Sequence, residues 1–246
     1  MTGWSELQRM LDAAAARGQA ITFWWRDDDA GRADRALARL LELADCRRLP
    51  LALAVVPAWL EAEAQAWIAA SGRVTVLQHG FAHVDHAPPG AKPVELGGRE
   101  PEAILDELGC GLAILRDAFG ATSIAVLVPP WNRLDERLGA RLAACGLRGL
   151  STFGSRGSAE QALGLIQVNS HLDPIDWRGS RLFVGEAEAL ACLCRSLDLE
   201  EPVGILTHHL AMDEAGWQFL ERLLEVLDVH PGARLCGADE LFATGP

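Results

Sequence analysis

His79 and His83 stand four residues apart, a spacing that on a helical turn sets both imidazoles on one side, close enough to grip one cation. A solvated helix face carries the same pair without binding anything, so the spacing alone leaves both readings open. Asp27, Asp28 and Asp29 form an unbroken run of carboxylates. Any one of them reads equally as a turn or helix-capping residue. Three together in a partly buried place repel, and need a cation, a shared proton or a basic neighbour. Arg26 and Arg32 could serve one of them; a divalent metal serves better. Two histidines and one carboxylate are the ligand set of catalytic zinc, with a coordination place left for water.

The elements that would position these groups follow from hydropathy. Ser5 and Gln8 form a capping box for a first helix that Gly18 ends. Short apolar runs read as strands at Ile21–Trp25, Leu51–Val56, Arg73–Leu77, Ile124–Val128, Gly149–Phe153, Leu165–Val168 and Val203–Thr207. Between them, helical periodicity covers Ala33–Leu49, Trp59–Ala70, Pro101–Phe119, Leu134–Cys145, Gly185–Leu197 and Asp213–Val229, with a Pro- and Gly-rich loop at Ala87–Gly98. Strands apolar on both faces, alternating with helices, predict a parallel sheet. About seven or eight of them predict an α/β fold of one domain over residues 1–246, a distorted parallel (β/α)7-8 barrel. No Gly-x-Gly-x-x-Gly follows the first strand, which counts against an open dinucleotide-binding sheet.

The polar clusters then acquire a common address. Asp27–Asp29, His79 and His83, Trp131–Arg133, and His208 and His209 each follow a predicted strand. In β/α barrels the loops after the strands share one face, and that face carries the active site.

Composition narrows the function further. A formal net charge of −12 argues against nucleic acid or an anionic membrane surface as partner. No run of apolar residues reaches the length of a transmembrane helix, and the first twenty residues lack the apolar stretch of an export signal, so the cytoplasm is the expected location. The six cysteines lack metal-ligand or redox spacing and are expected as small buried apolar residues. Oligomeric state is not legible.

Taken in order, the motifs resemble the polysaccharide deacetylases, the NodB-homology deacetylases of carbohydrate esterase family 4, from about residue 21 to 210. The family's Thr-Phe-Asp-Asp-Gly is matched by Trp25–Asp29, which makes Asp27 resemble the catalytic base and Asp28 a metal ligand; a one-residue shift would make them Asp28 and Asp29. His-(Ser/Thr)-x-x-His is matched by His79 and His83 with Gly80 for the hydroxyl residue, and Arg-x-Pro-x-Gly imperfectly by Val128–Asn132. The family's arginine is missing there, with Arg133 a candidate substitute. Asp-x-x-Asp-Trp appears as Asp173–Trp177 and Leu-x-His as Leu206–His208, with His209 a competing choice of acid.

The resemblance implies a metal-dependent hydrolase that removes N-acetyl, or alternatively O-acetyl, groups from a carbohydrate or glycan precursor. Asp28, His79 and His83 would hold a divalent metal, zinc foremost. Asp27 would act as base and His208 as acid, and Trp131, Arg133, Asp173, Asp176 and Trp177 would shape the oxyanion and substrate pocket. Two other readings share the scaffold: a C–N hydrolase of a small non-sugar amide, and a catalytically decayed barrel that only binds a glycan.

Overall fold

Phe23, Trp24 and Trp25 are fully buried in the strand that organises the molecule. Their burial removes large aromatic surfaces from water. The two indole N–H groups are not stranded by this: Trp24 donates to the Asn169 carbonyl at 3.1 Å and Trp25 to the Thr207 hydroxyl at 2.9 Å. The computed structural model describes residues 3–139, 141–155 and 164–243.

The strands are β1 (Ile21–Ala30), β2 (Leu51–Val55), β3 (Val74–His79), β4 (Ser123–Val128), β5 (Gly149–Leu150), β6 (Ile166–Gln167), β7 (Ser170–Leu172), β8 (Val203–Thr207) and β9 (Ala233–Leu235). They make one sheet in the order β6-β5-β4-β3-β2-β1-β8-β7, with β9 beside β1, and the pairings are parallel. The first and last strands of that order, β6 and β7, belong to one stretch of chain, residues 166–172. That stretch pairs with β5 through Gly149–Leu150 and with β8 through Gly204–Ile205, so the sheet curls round on itself as a distorted (β/α) barrel. Because the strands are parallel, their C-terminal ends share one rim.

Helices α1 (Gly3–Ala16), α2 (Arg35–Arg47), α3 (Ala62–Ala70), α4 (Pro101–Phe119), α5 (Arg141–Ala144), α6 (Glu186–Ser196), α7 (Glu214–Val229) and α8 (Ala238–Leu241) cover the sheet. Asp34 caps α2 by accepting from the backbone N–H groups of Ala36 and Leu37, and Asp213 caps α7 through Gly216. None of the helices among the described residues is long and apolar enough to cross a membrane.

Several expectations need correction. Ser5 lies inside α1, which already begins at Gly3. The helix expected over Leu134–Cys145 shrinks to Arg141–Ala144, because turns occupy the preceding residues; Ala140 lies outside the described residues. Cys46 and Cys110 are exposed rather than buried. The largest difference concerns β1, which continues through all three aspartates to Ala30 instead of stopping at Trp25.

Candidate metal centre and active site

On a strand, successive side chains face opposite ways, and β1 keeps this rule as far as Asp28. Arg26 and Asp28 share one face and form a buried ion pair, Nε to Oδ1 at 2.9 Å and Nη2 to Oδ2 at 3.1 Å. Asp27 faces the other way. Its Oδ2 accepts from the Thr207 hydroxyl at 2.6 Å and the His209 backbone N–H at 3.0 Å, and its Oδ1 lies 2.5 Å from His209 Nδ1. Strict alternation would return Asp29 to Asp27's side. Instead the register with β2 shifts between Asp27 and Ala30, and Asp29 takes the left-handed backbone conformation at φ 71°. The turn brings its carboxylate to the histidines.

Asp29 Oδ1 is 3.2 Å from Nε2 of His79 and 3.2 Å from Nε2 of His83. The three ligand atoms lie within 4.8 Å of one another, and Asp29 Oδ1 is buried without a hydrogen bond. His79, at the end of β3, places Nδ1 3.0 Å from the Val128 carbonyl, to which the ring N–H donates, directing Nε2 at the shared point. A carbonyl holding the far nitrogen of a ligand imidazole is the usual outer support of a metal site. Burial would raise the pKa of Asp29, but the close approach and charge of His79, with the charges of His208 and His83, hold it far below the ordinary carboxylate range. Burial works against a charged His79 as well, yet Asp28 and Asp29 outweigh it and raise its pKa, while burial and the neighbouring His79 lower that of His83. An orphaned carboxylate oxygen facing two imidazole nitrogens fits a divalent cation, and the nitrogen-oxygen donor set suits zinc.

When His79 is charged, a cation on these atoms displaces the proton from its Nε2. Zinc uptake is therefore expected to release protons, increasingly as pH falls through the raised titration range of His79, with affinity falling in step. Calorimetric titrations in two buffers of different ionisation enthalpy measure this; proton-free uptake would place the cation elsewhere.

His83 sits on a loop held by a residue that the sequence did not single out. Glu95 is buried and accepts from three successive backbone N–H groups, those of Phe81 (3.3 Å), Ala82 (2.6 Å) and His83 (2.9 Å). This carboxylate explains Gly80. A Cβ there would collide with Glu95 Oε2 and come within 2.7 Å of the Pro130 ring, so the hydroxyl residue of the related motif has no room. Glu95→Ala should lower zinc affinity about 10–100-fold, as loss of an outer support of a ligand typically does. Chelator competition measures it, and wild-type affinity would separate Glu95 from the site.

At the candidate centre opens a cavity of about 550 Å³ lined by Asp28, Asp29, His79, His83, Trp131 and Arg133, together with Asp173, Trp177 and His208. A larger hollow adjoins it and shares Asn132 and Arg133, but the titratable cluster belongs to the smaller one. His208 Nδ1 is 3.9 Å from Asp173 Oδ1, and the Trp177 ring meets the His208 ring edge-on at 4.8 Å. Asp173 Oδ2 accepts from the Trp177 indole at 2.7 Å. Its pKa is raised, because burial outweighs the opposing pull of His208 and Trp177. Asp29, His83, Trp131, Asn132 and Arg181, which line this cavity, are five of the six non-glycine residues with positive φ among the described residues. Such conformations cost on the order of 1–3 kcal/mol each and gather where function requires them.

The geometry redraws the expected site. Asp28 is on Arg26, and Asp29 takes the place beside the histidines. Asp27 and His209 form a sealed pair away from the cavity. Asp176 is spent on the turn that follows it, accepting from the backbone N–H groups of Gly179 and Ser180. Arg133 donates to the Pro93 carbonyl at 2.7 Å, while the arginine beside Asp28 is Arg26, from the opening strand itself.

Solved structures share this arrangement of strands. One from Mycobacterium smegmatis, named as a polysaccharide deacetylase, superposes with a TM-score of 0.64 over 84% of this chain and 75% of that one, at 16% identity. The fold is that of the polysaccharide deacetylases. A peptidoglycan N-acetylglucosamine deacetylase matches at TM-score 0.56 and 15% identity, covering 92% of this chain and 89% of that one. A carbohydrate esterase family 4 pseudoenzyme from Bacillus anthracis matches at 0.59 and 13%, covering 91% and 66%. No protein-family profile matches the chain, and no curated protein matches it by sequence. Among polysaccharide deacetylase folds this is a divergent one.

Proposed function

We propose that the protein is a metal-dependent hydrolase that removes acetyl groups from an N-acetylated sugar or glycan precursor. The observation that carries the reading is Asp29 Oδ1, buried, without a hydrogen bond and equidistant from two imidazole nitrogens on the floor of a substrate-sized cavity.

Asp29, His79 and His83 would hold the cation, zinc being the best fit. When bound, such a cation lowers the pKa of water towards about 7 and polarises an acyl oxygen. Asp28 accepts the proton of the attacking water, and Arg26 holds its carboxylate in place. The oxygen of that water joins the acyl carbon, the C–N bond breaks, and His208 delivers a proton to the departing nitrogen. Asp173 faces His208 with its Oδ1 3.9 Å from Nδ1, and the Trp177 indole fixes Asp173 in turn. The backbone N–H of Trp131, on the loop that two prolines stiffen, is the proposed donor to the oxyanion. The products are acetate and a free amine.

Zinc content and acetate release, measured together on a panel of N-acetylated and O-acetylated sugars and small amides, test the proposal. Zinc with acetate release from amino sugars supports it. Release from O-acetyl substrates alone would make the protein an esterase, and release from non-sugar amides alone a different amidase. Zinc without any release would place it with the pseudoenzymes.

A further inference from the structure

In a chain with 34 acidic and 22 basic residues, many arginines meet carboxylates: Arg39 pairs with Glu214 and Glu221, Arg99 with Glu107, Arg137 with Asp135 and Arg234 with Glu240. Arg17, Arg35, Arg48 and Arg73 do not, among the described residues. Arg178 and Arg181 belong with these by pairing but not by place. Both line the cavity, both are exposed, and among the described residues neither meets a carboxylate. The loop that carries them is built and closed. The Asp176 N–H donates to the Leu182 carbonyl at 2.9 Å, the Arg181 N–H donates to the Asp176 carbonyl at 2.9 Å, and Ile175 bridges Phe183. The nearest acid in sequence, Asp176, is occupied by the turn's own N–H groups. Arg181 takes the left-handed backbone conformation at φ 58° as this loop closes. Arg133, which also lines the cavity, is fixed by a hydrogen bond from Nη1 to the Pro93 carbonyl, which leaves Nε and Nη2 for a ligand.

The carboxylates on the cavity floor do not neutralise this rim. Asp28 is paired with Arg26, Asp29 faces the two histidines and Asp173 faces His208. Guanidinium groups bind carboxylate and phosphate oxygens through paired N–H donors.

We infer that the substrate carries an anionic group, a carboxylate or a phosphate, beside its acetylated nitrogen, and that Arg178, Arg181 and Arg133 bind it. This rests on the hydrolase reading for the acetylated nitrogen, though not for the anion site. The test uses zinc-loaded protein and four ligands: N-acetylglucosamine, its 1-phosphate, its 6-phosphate and its 3-O-lactyl ether. Calorimetry gives Kd for each, and acetate release gives kcat/KM. At least one anionic ligand is expected to bind ~10-fold or more tightly than the neutral sugar, the scale of one charge-assisted hydrogen bond. The advantage should shrink as salt is raised and disappear in the Arg178→Gln/Arg181→Gln double variant. Whichever of lactyl and phosphate ligands binds best identifies the anion.

Equal or tighter binding of the neutral sugar would overturn the inference. So would an anion advantage that survives the double variant, since it would put the anion on the cation instead of the arginines. Anion-selective binding with no acetate release from any ligand would support the anion site and defeat the hydrolase reading. Release with no anion preference would do the reverse. Both arginines are exposed, and matching thermal melts of variant and wild type confirm that the fold is retained.

Discussion

Asp29→Ala is expected to lose its zinc on dialysis and, with it, all measurable acetate release. Asp28→Asn should keep its zinc and lose about 10²–10⁴ in turnover, the typical contribution of a positioned base. The two variants separate two carboxylates that are neighbours in the chain. Asp29 Oδ1 is the oxygen within 3.2 Å of both imidazoles, whereas both Asp28 oxygens are engaged by Arg26. Asp27→Asn should retain zinc and act on stability, because Asp27 touches Thr207 and His209 and not the cavity. Metal analysis and acetate release on the three purified variants decide it. Zinc lost from Asp28→Asn and retained by Asp29→Ala would move the ligand back one residue.

Arg26→Met is expected to destabilise the fold by about 3–5 kcal/mol, because it strands a buried carboxylate. Arg26 is fully buried, and besides Asp28 it donates from Nη1 to the Ser151 hydroxyl at 2.6 Å. For a chain of this size each kcal/mol corresponds to roughly 2–4 °C in Tm. A buried ion pair is often no more stable than apolar residues of the same shape, so the double variant Arg26→Met/Asp28→Leu should recover much of the loss without recovering activity. Calorimetric melts of the single and double variants measure both effects. A single variant that melts like the wild type would mean that water reaches Asp28.

The barrel was legible because its signal is repetitive: buried strands such as Leu51–Val55 and Val203–Thr207 alternate with amphipathic helices. The rim followed from parallel topology. The spacing of His79 and His83 predicted a helical turn, whereas His79 ends β3 and His83 sits on a loop at φ 56°, and it is this strand end and loop that bring the two rings together. The identity of the carboxylate was not legible. It depends on how far β1 runs and on the backbone turn at Asp29, where a single residue reverses which side chain faces the histidines. Asp27 looked catalytic because a motif records order, and order does not say that Thr207 and His209 seal one carboxylate away. Arg26 was legible as a basic neighbour for one of the aspartates; that its partner is Asp28 follows only once β1 runs on past Trp25, because two positions apart on a strand is the same face. Glu95 was not legible, since a lone acid in a Pro- and Gly-rich loop reads as solvated until three backbone N–H groups are seen to converge on it. The short β9 and α8 carry too few residues to show a period.

The sealed pair of Asp27 and His209 also bears on how the chain is made. Asp27 leaves the ribosome some 180 residues ahead of Thr207 and His209, the partners that satisfy its carboxylate. Until they emerge, β1 has β2 on one side and nothing in the place of β8, so the opening strand cannot settle into its final environment. Nascent chains halted before residue 207 should therefore stay protease-sensitive at β1, and those extended past residue 209 and clear of the exit tunnel should become resistant together with the rest of the barrel. Maturation of the nascent protein is tied in this way to its last large strand, and a released fragment lacking that strand would present both an uncovered sheet edge and an unsatisfied acid to the quality-control machinery.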